Sequence, residues 1–254
     1  MARFKVGAQL RPQHCTMDQL REAWIGADTL GVDTIWTWDH FYPLFGEPDG
    51  PHYECWTILA AIAATTKNAQ FGALVSCNTY RNPELLADMA RTTNEISGGR
   101  AILGIGSGWF ERDYDEYGYE FGTAPGRLKA LGEALPRIKS RLAKLNPSAP
   151  DLPIMIGGSG PKVTLRLVAE YAQLWNGMGD PETFGQKVQI LDEWCAKVGR
   201  DPKEIDRTVM INNDRVNEAD LDAYLEAGAT HVILGVDAPF DLDPLKRLLE
   251  LSRG

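Results

Sequence analysis

The sequence has few of the residues that bind metals or form disulfides. Its 254 residues include four cysteines and four histidines. The cysteines are far apart, at Cys15, Cys55, Cys77 and Cys195. None of them forms a C-x-x-C pair and no histidines have a ligand-like spacing, so neither a zinc site nor a disulfide framework is expected. Isolated cysteines are typical of a reducing compartment, and we expect a cytoplasmic protein.

Positive charge and long apolar runs are also scarce. The formal net charge is −9. Nucleic acids and anionic membranes favour a basic surface, so neither is expected as a partner. No apolar run approaches the ~20 residues of a membrane span. The start, Met1–Gly7, leads directly into a strand-like run without the apolar core of a signal peptide. These features favour a soluble protein.

Strand-like segments alternate with amphipathic segments along the whole chain. The strand-like segments are Phe4–Leu10, Val32–Trp38, Phe71–Cys77, Ala101–Gly106, Pro153–Gly157, Gln173–Asn176, Thr208–Asn212 and His231–Val236. Between them, apolar residues recur at helical spacing. Roughly eight strand–helix units without consecutive strands predict an α/β fold, a single (β/α)8 TIM barrel that occupies residues 1–254 as one domain.

Glycine and proline mark the expected ends of the helices. Helix ends are expected at the glycines Gly31, Gly98-Gly99 and Gly228. Helix starts are expected at the proline-containing pairs Asn82-Pro83, Gly160-Pro161 and Asp180-Pro181.

The carboxyl ends of the strands in a closed parallel barrel meet at one face, which holds the active site. The residues expected there are Gln9, Arg11, Trp38–His40, Val75–Asn78, Gly106–Trp109, Gly157–Gly160, Asn176, Gly177, Asn212, Asn213 and Gly235. Glycine, asparagine, glutamine and tryptophan predominate in this list, and pairs of residues that could act as nucleophile and base are scarce. Such a surface favours the binding of an aromatic cofactor over hydrolysis.

The most distinctive segment is Ser97–Trp109, where glycines end a helix, interrupt a strand and follow it. Glycines at a strand end let a flat or anionic ligand lie against the main chain, because no Cβ intervenes. A tight strand exit without a ligand is the alternative. The G-x-G-x-G spacing differs from the dinucleotide motif G-x-G-x-x-G, and Gly157–Gly160 lacks the spacing of a phosphate loop.

Five blocks occur in the order found in a known family. They are Trp38–Phe41, Thr79–Pro83, Ile96–Arg100, Leu103–Trp109 and Ile154–Gly160. Together they resemble the bacterial luciferase-like oxidoreductases, in particular the branch that uses the deazaflavin cofactor F420. The resemblance runs from the first strand to about the sixth helix. It implies a small-molecule substrate and a homodimer.

The resemblance also implies a cofactor site. The Leu74–Val75 bond matches a non-prolyl cis peptide that supports the middle ring of the deazaflavin. The glycine run after the strand at 101–106 matches a shelf beside the cofactor. The glycines at 157–160 match an anion site at the start of a helix at Pro161, to which Lys162 adds a charge. The residues implied in cofactor binding are Asp39, Leu74, Val75, Ser76, Gly106, Ser107, Gly108, Gly157, Gly158, Ser159, Gly160 and Asn176.

The resemblance assigns catalysis to the end of the second strand. Asp39 is expected to face the cofactor head, and His40 the substrate. His40 is the expected acid or base, because imidazole titrates near neutral pH. The residues implied in substrate binding are Gln9, Trp38, His40, Trp109 and Glu111.

The segment after the glycine run is expected to be a loop. Its charged residues Glu111, Arg112 and Asp113 are expected to be solvated, although Glu111 could reach a substrate. The tyrosines Tyr114, Tyr117 and Tyr119 are expected to cover the site or to pack on a partner chain.

The resulting hypothesis is an F420-dependent oxidoreductase that transfers a hydride between the deazaflavin C5 and an organic substrate. The first alternative is an FMN-dependent monooxygenase. Ser107 stands where some flavin-dependent relatives have an arginine, which favours F420. The second alternative is a non-catalytic flavin-binding or deazaflavin-binding protein. An aldolase is not favoured, because no lysine lies at the carboxyl end of a predicted strand.

Overall fold

The strands form one closed parallel barrel. The computed structural model describes residues 2–254, with strands β1 (Lys5–Leu10), β2 (Thr34–Thr37), β3 (Gln70–Ala73), β4 (Ser76–Cys77), β5 (Ala101–Gly106), β6 (Ile154–Gly157), β7 (Leu174–Gly177), β8 (Asp206–Ile211) and β9 (His231–Val236). They pair in the order β3-β2-β1-β9-β8-β7-β6-β5-β4, and a further pairing of β3 with β5 closes the ring. Because β3 and β4 are two parts of one barrel strand, residues 2–254 form the predicted eight-stranded barrel.

Helices surround the barrel. They are α1 (Met17–Leu30), α2 (Cys55–Thr65), α3 (Pro83–Ser97), α4 (Glu111–Tyr117), α5 (Ala124–Lys144), α6 (Thr164–Tyr171), α7 (Pro181–Val198), α8 (Glu218–Glu226) and α9 (Asp243–Arg253). Helix α4 is not predicted from the sequence, which suggested a loop there. Within the described part of the chain, each helix is too short or too polar to cross a bilayer.

Local capping explains most of the helix ends. At the start of α1, the Thr16 side chain accepts a hydrogen bond from the Gln19 amide, and Gln19 returns one to the Thr16 amide. Asn82 and Asp180 cap α3 and α7 as predicted. Gly31 ends α1 in the left-handed conformation, with φ 84°.

The expected start of α6 at Pro161 is wrong. The helix begins at Thr164, after a turn that contains Pro161. Val163 precedes the helix and makes no side-chain capping bond. A proline after glycine is therefore compatible with a turn as well as with a first helical residue.

The predicted strand Phe71–Cys77 is interrupted by a bulge. Gly72 pairs with Ile102 of β5, whereas Ser76 pairs with Ile105. The three residues between Gly72 and Ser76 therefore lie opposite the two between Ile102 and Ile105. The extra residue takes the chain out of the ladder and separates β3 from β4.

Arg100, at the end of the Ile96–Arg100 block, connects the α2–β3 loop to the end of α3. Its guanidinium donates five hydrogen bonds of 2.7–3.1 Å, to the carbonyls of Ala63, Thr66, Ala69 and Ser97 and to Thr66 Oγ1. All five N–H groups of the side chain are thus used within the fold. Arg100 therefore stabilises the wall of the barrel.

The barrel interior is filled, so it is a core and not a channel. An apolar cluster of Trp36, Ile102, Met155, Leu174 and Ile233 occupies it. At the amino ends of the strands, Thr34 Oγ1 accepts from Trp36 Nε1 at 2.7 Å and lies 2.9 Å from His231 Nε2. Burial lowers the pKa of His231 to about 4, so this imidazole is neutral at pH 7.

Candidate functional site

A cavity of about 670 Å³ opens at the carboxyl ends of the strands. Its lining combines apolar and aromatic side chains with a few polar groups and bare main chain. The lining residues are Gln9, Arg11, Trp38, Asp39, His40, Leu44, Phe45, Leu74, Val75, Ser76, Cys77, Tyr80, Gly106, Ser107, Gly108, Trp109, Gly157, Gly158, Asn176, Gly177, Met178, Gly179 and Met210. Most of the residues implied by the resemblance therefore surround one cavity. Ser159, Gly160 and Glu111 lie outside its lining.

The bulge between β3 and β4 forms one wall of the cavity. The Leu74–Val75 peptide bond is cis, as the resemblance implies. The Leu74 amide donates to Thr37 O at 2.7 Å, and Gln9 Nε2 donates to Leu74 O at 3.3 Å. Leu74 and Val75 are half-buried and pack on the apolar cluster inside the barrel. The bulge thus presents apolar surface to the cavity.

The strand glycines make room for this bulge. A Cβ on Gly104 would overlap the carbonyl oxygen of Ala73. A Cβ on Gly106 would lie 2.7 Å from Val75 Cγ2, and one on Gly157 would lie 3.0 Å from Val75 Cγ1. These glycines therefore make room for the bulge, and Gly106 and Gly157 also border the cavity with main chain.

Gly108 also leaves room for neighbouring side chains. Its φ is +83°, and a Cβ there would overlap the Tyr114 hydroxyl and lie 2.6 Å from Cys77 Sγ. Tyr114 is fully buried and its hydroxyl lies 3.0 Å from Cys77 Sγ and 2.6 Å from Thr79 Oγ1. Burial raises the pKa of the Cys77 thiol, so this cysteine is a packing residue and not a thiolate.

Asp39 has a fully buried side chain, and both of its carboxylate oxygens accept hydrogen bonds from other residues. Arg81 donates to Oδ2 at 2.5 Å and to Oδ1 at 2.8 Å, and the Cys77 amide donates to Oδ2 at 2.9 Å. Arg81 also donates to Glu54 Oε1 at 2.9 Å. A two-pronged contact of this kind fixes the carboxylate in place. Asp39 therefore connects the end of β2 to β4.

His40 binds a different carboxylate. Its Nδ1 lies 2.7 Å from Oδ2 of Asp113, and its side chain is 12% exposed. Its ring makes edge contacts with Trp38 and Trp109, with ring centroids 5.9 and 5.6 Å apart. His40 borders the cavity, so the imidazole reaches a ligand from a fixed position.

Asp113 was expected to be a solvated loop charge, and this expectation is wrong. Its side chain is completely buried in the first turn of α4. Besides His40, Oδ2 accepts from the Tyr80 hydroxyl at 2.9 Å, and Oδ1 accepts from the amides of Phe41 and Tyr42 at 3.1 and 3.2 Å. These four contacts fix the position and orientation of the carboxyl group beside His40.

A signal for Asp113 is present in the sequence. Gly118 ends α4 in the left-handed conformation, as a C-terminal glycine commonly does. A helix that ends there places Asp113, Tyr114 and Tyr117 on one side, at spacings of three and four residues. Glu111 is exposed at the start of the same helix.

The three tyrosines do not form one aromatic loop. Tyr114 belongs to the core, as its burial shows. Tyr117 is 54% exposed and stacks on Phe41, with ring centroids 3.9 Å apart. Tyr119 stacks on Tyr80 at 5.3 Å. The first stacking contact holds the segment after β2 against α4, and the second holds the segment after β4 against the residues that follow α4.

A second histidine orients the tryptophan at the end of β2. Trp38 Nε1 donates to His52 Nε2 at 2.9 Å. Burial, followed by the nearby His40, lowers the pKa of His52 to about 4. His52 is therefore neutral at pH 7 and accepts the indole hydrogen, which fixes the Trp38 ring at the cavity wall.

The loops after β6 and β7 are joined to each other. The Gly158 amide donates to Asn176 O at 3.1 Å, and Ser159 Oγ accepts from the Met178 amide at 3.2 Å. The Asn176 side chain donates to Thr208 Oγ1 at 2.8 Å. Gly158 and Asn176 reach the cavity, so main chain and amide groups are available to a polar ligand at this end.

Several lining residues were missed by the sequence-based site. Leu44 and Phe45 come from the long segment between β2 and α2, which carries no regular pattern. Met178 and Met210 follow or belong to strands β7 and β8. Met210 could have been found, because alternation along β8 points it to the same side as the inward-facing Thr208.

The sequence is similar to a known family and to several curated proteins. The family model described as Luciferase-like monooxygenase matches residues 1–213. The chain is 30% identical over 194 residues to 5,10-methylenetetrahydromethanopterin reductase of Methanolobus tindarius, which covers 71% of this chain and 56% of the relative. It is 32% identical over 148 residues to F420-dependent glucose-6-phosphate dehydrogenase of Amycolatopsis mediterranei, covering 57% of this chain and 39% of the relative. The chain thus spans about half the length or less of these two relatives.

Solved structures share the fold at low sequence identity. An F420-dependent secondary alcohol dehydrogenase in complex with an F420-acetone adduct superposes with a TM-score of 0.85 and 18% identity, over 99% of this chain and 100% of the other. The oxygenating constituent of 3,6-diketocamphane monooxygenase from Pseudomonas putida, in complex with FMN, has a TM-score of 0.75 and 15% identity, over 100% and 97%. At these identities the similarity establishes the barrel fold alone.

Proposed function

Because the chain belongs to the luciferase-like monooxygenase family, we propose that it is an F420-dependent oxidoreductase acting on a small organic substrate. The observation that carries this proposal is the single cavity bordered by both the Leu74–Val75 bulge and the His40 imidazole. When bound, F420 supplies a two-electron centre that donates or accepts a hydride at C5 of its deazaflavin ring. The protein supplies the binding surface, the orientation and the proton transfer.

The residues present fit such a cofactor. Leu74 and Val75 provide the apolar surface for a flat ring, and Ser76 borders the cavity beside them. Gln9 Oε1 is buried without a hydrogen-bond partner and Gln9 borders the cavity, so it is an acceptor for an N–H or O–H group of a ligand. Gly106–Gly108 and Gly157–Gly160 would hold the remainder, with Asn176 near the polar chain.

Within residues 2–254, the cavity lining offers no free lysine or arginine for a terminal phosphate, which disfavours FMN. FMN ends in a phosphate monoester with nearly two negative charges, which favours binding by cations. Arg11 is the only lysine or arginine that borders the cavity within the described residues, and it is already paired with Asp237. Ser107 occupies the strand exit instead of a cation. The phosphodiester of F420 carries one charge and can be held by main-chain N–H groups.

His40 is the group that moves a proton. With the Nδ1 hydrogen donated to Oδ2 of Asp113, Nε2 is the ring nitrogen left to exchange a proton. A neutral His40 can therefore accept a proton from a substrate at Nε2, and a protonated His40 can return it. Trp38 and Trp109 hold the ring in place and reduce the access of water to it.

The proposal is tested by titrating the purified protein separately with F420, FMN and NADPH while following fluorescence. Saturable binding of F420 with weaker or absent binding of FMN is expected. If only FMN binds, the monooxygenase alternative replaces the proposal. Tight F420 binding without turnover of any alcohol, ketone or imine would instead indicate a binding protein.

We also propose that two copies of the chain associate through the groove between α2 and α3. This groove has a volume of about 640 Å³ and exposes Leu85 by 54% and Ile96 by 50%. Exposed apolar side chains that line one groove are typical of a protein interface. Light scattering should give the mass of a dimer, and Leu85→Glu should convert it to a monomer. The same substitution at Ile25, which is 41% exposed on α1, should leave the mass unchanged.

A cytoplasmic location is part of the proposal. The cysteines Cys15, Cys55, Cys77 and Cys195 are all buried as free thiols. Free thiols are maintained in a reducing compartment.

A further inference from the structure

Large apolar side chains are exposed at the mouth of the cavity. Trp109 is 62% exposed, Met178 61%, Phe45 47% and Met210 39%, and all four line the cavity. Exposed apolar groups that converge on one concave surface indicate a binding site for an apolar partner or ligand. A purely polar ligand would leave this surface in contact with water.

The aromatic groups surround His40. Trp38 is 5.9 Å from both His40 and Phe45, and Trp109 is 5.6 Å from His40, measured between ring centroids. The reacting part of a substrate must approach the His40 imidazole, so its neighbouring atoms contact these rings. The environment of the reacting atom is therefore apolar on several sides.

The charged groups of the cavity are already paired. Arg11 donates to Asp237 Oδ2 at 2.7 Å and to Asn212 Oδ1 at 3.0 Å, so its charge is paired. Its Nε is buried without a hydrogen-bond partner in the described chain and is out of reach of a ligand. The Asp39 carboxylate is paired with Arg81. Among the described lining residues, no cation remains to neutralise a phosphate or carboxylate on a substrate.

On the basis of the proposed F420 function, we infer that the substrate is an uncharged, apolar alcohol or its ketone. Its oxygen would lie at His40 Nε2 and its hydrocarbon part against Trp38, Phe45, Trp109 and Met210. In the oxidation, the alcohol O–H proton passes to Nε2, and the carbinol hydrogen leaves as a hydride to C5 of oxidised F420. The carbon–oxygen double bond forms from the O–H electron pair. Reduction of the ketone reverses each of these transfers.

An anionic substrate is disfavoured by the same geometry. A phosphate or carboxylate placed among these rings would lose its hydration without gaining a counter-ion. The inference thus separates this site from one that acts on a sugar phosphate such as glucose 6-phosphate. It also predicts which change would reverse the preference, since a single cation at the apolar wall would supply the missing partner.

Two ketones of the same ring size test the inference. 4-Methylcyclohexanone is uncharged, and 4-oxocyclohexanecarboxylate carries one negative charge at the corresponding position. With the F420-loaded protein, saturation-transfer NMR measures binding of each ketone, and deazaflavin absorbance measures turnover with reduced F420. We expect kcat/KM to be at least tenfold higher for the methyl ketone, with binding detected for that ketone alone.

A matched pair of variants tests the physical reason. Met210→Lys adds a cation at the apolar wall and should reduce the preference for the methyl ketone at least tenfold. Ile25→Lys adds the same charge on the outer surface of α1 and should leave the preference unchanged.

The possible failures are distinguishable. Equal or better use of the carboxylate by the unaltered protein, or use of neither ketone while F420 still binds, would overturn the substrate class and leave F420 binding intact. Failure of F420 to bind would remove the proposed function itself.

Discussion

The Nδ1 atom of His40 lies 2.7 Å from Oδ2 of Asp113, although 73 residues separate them in the sequence. The first residue follows β2 and the second lies in the short helix after β5. The buried carboxylate also accepts from Tyr80 and from two amides of the segment after His40. One carboxylate therefore fixes the tautomer of the imidazole and the path of the chain that carries it.

Replacing Asp113 should impair proton transfer more than binding. In Asp113→Asn the partner of Nδ1 is no longer an anion, so the protonated imidazole loses its stabilisation. We expect kcat to fall by about 10²-fold, because a general acid or base typically contributes 10²–10⁴-fold. The F420 dissociation constant should change by less than about threefold, since Asp113 is outside the cavity lining. Proton NMR should show loss of the low-field Nδ1–H signal of His40.

Asp115→Asn is the matched control, because Asp115 lies on the same helix and is exposed. It should preserve kcat, its pH profile and the Nδ1–H signal. Equal behaviour of the two variants would show that Asp113 does not act through His40.

Adding a methyl group at Gly106 should displace Val75. The Cβ of Gly106→Ala would lie 2.7 Å from Val75 Cγ2, and Gly157 limits the movement of Val75 on its other side. Overpacking of this kind costs about 1–3 kcal/mol in the free energy of unfolding. The F420 dissociation constant should rise about tenfold, since 1.4 kcal/mol corresponds to that factor.

Gly132→Ala provides the comparison within a helix. Its nearest neighbour would be Leu167 Cδ2 at 3.7 Å, an ordinary contact, in the middle of α5. The free energy of unfolding should rise by up to about 1 kcal/mol, with unchanged F420 binding. Urea denaturation and fluorescence titration measure the two quantities. Similar F420 affinities for both alanine variants would contradict the role assigned to Val75.

Removing the guanidinium of Arg100 should destabilise the fold and spare the site. Arg100→Met leaves several carbonyls of the α2–β3 loop without their donor, and we expect a loss of roughly 3 kcal/mol in the free energy of unfolding. Arg21→Met removes an exposed pair with Asp18 on α1 and should cost at most about 1 kcal/mol. Urea denaturation measures both. A large loss of F420 affinity in folded Arg100→Met would show that the block serves the site directly.

His231 should make the fold sensitive to mild acid. Its pKa is about 4 in the folded protein, against an ordinary value of 6.5. Above pH 6.5 the His231 imidazole is neutral in both the folded and the unfolded protein. Below pH 6.5 it binds a proton in the unfolded protein, whereas in the folded protein it stays neutral down to about pH 4. The free energy of unfolding should therefore decrease by about 2 kcal/mol from pH 7.5 to pH 5 on account of this residue.

The variant His231→Gln isolates this contribution. The free energy of unfolding of the variant is expected to be lower at pH 7.5. Its decrease between pH 7.5 and pH 5 should be smaller than that of the unaltered protein by about 2 kcal/mol. An equal change in both proteins would mean that His231 does not titrate as its burial requires.

The fold was predictable because its signals are local. Apolar segments of strand length, amphipathic stripes and the capping residues Asn82, Asp180 and Gly31 lie within a few residues of the elements that they define. The position of the bulge at Leu74–Val75 came from the resemblance and is confirmed. The start of α6 was misplaced, because proline fits a turn as well as a first helical turn.

The site was only partly predictable, because its decisive contacts are distant in sequence. The glycine at position 118 marks a helix end that places Asp113 beside Tyr114 and Tyr117. It does not identify His40 as the partner of Asp113, and nothing near Asp39 indicates its contact with Arg81. The role of the glycines in β5 and β6 also depends on the bulge between β3 and β4, which is distant in sequence. Gly106 resembles a ligand shelf in isolation, whereas the structure shows that Val75 occupies the space.

The packing of Val75 against β5 and β6 has a consequence for how this barrel can diverge. Gly106 and Gly157 belong to different strands, yet a side chain at either position would press on the same valine, more strongly at Gly106 than at Gly157. A descendant that gains a side chain at either position must shorten residue 75 at the same time. These three positions should therefore change together among sister proteins, as a single heritable unit spread over three neighbouring strands of the ring.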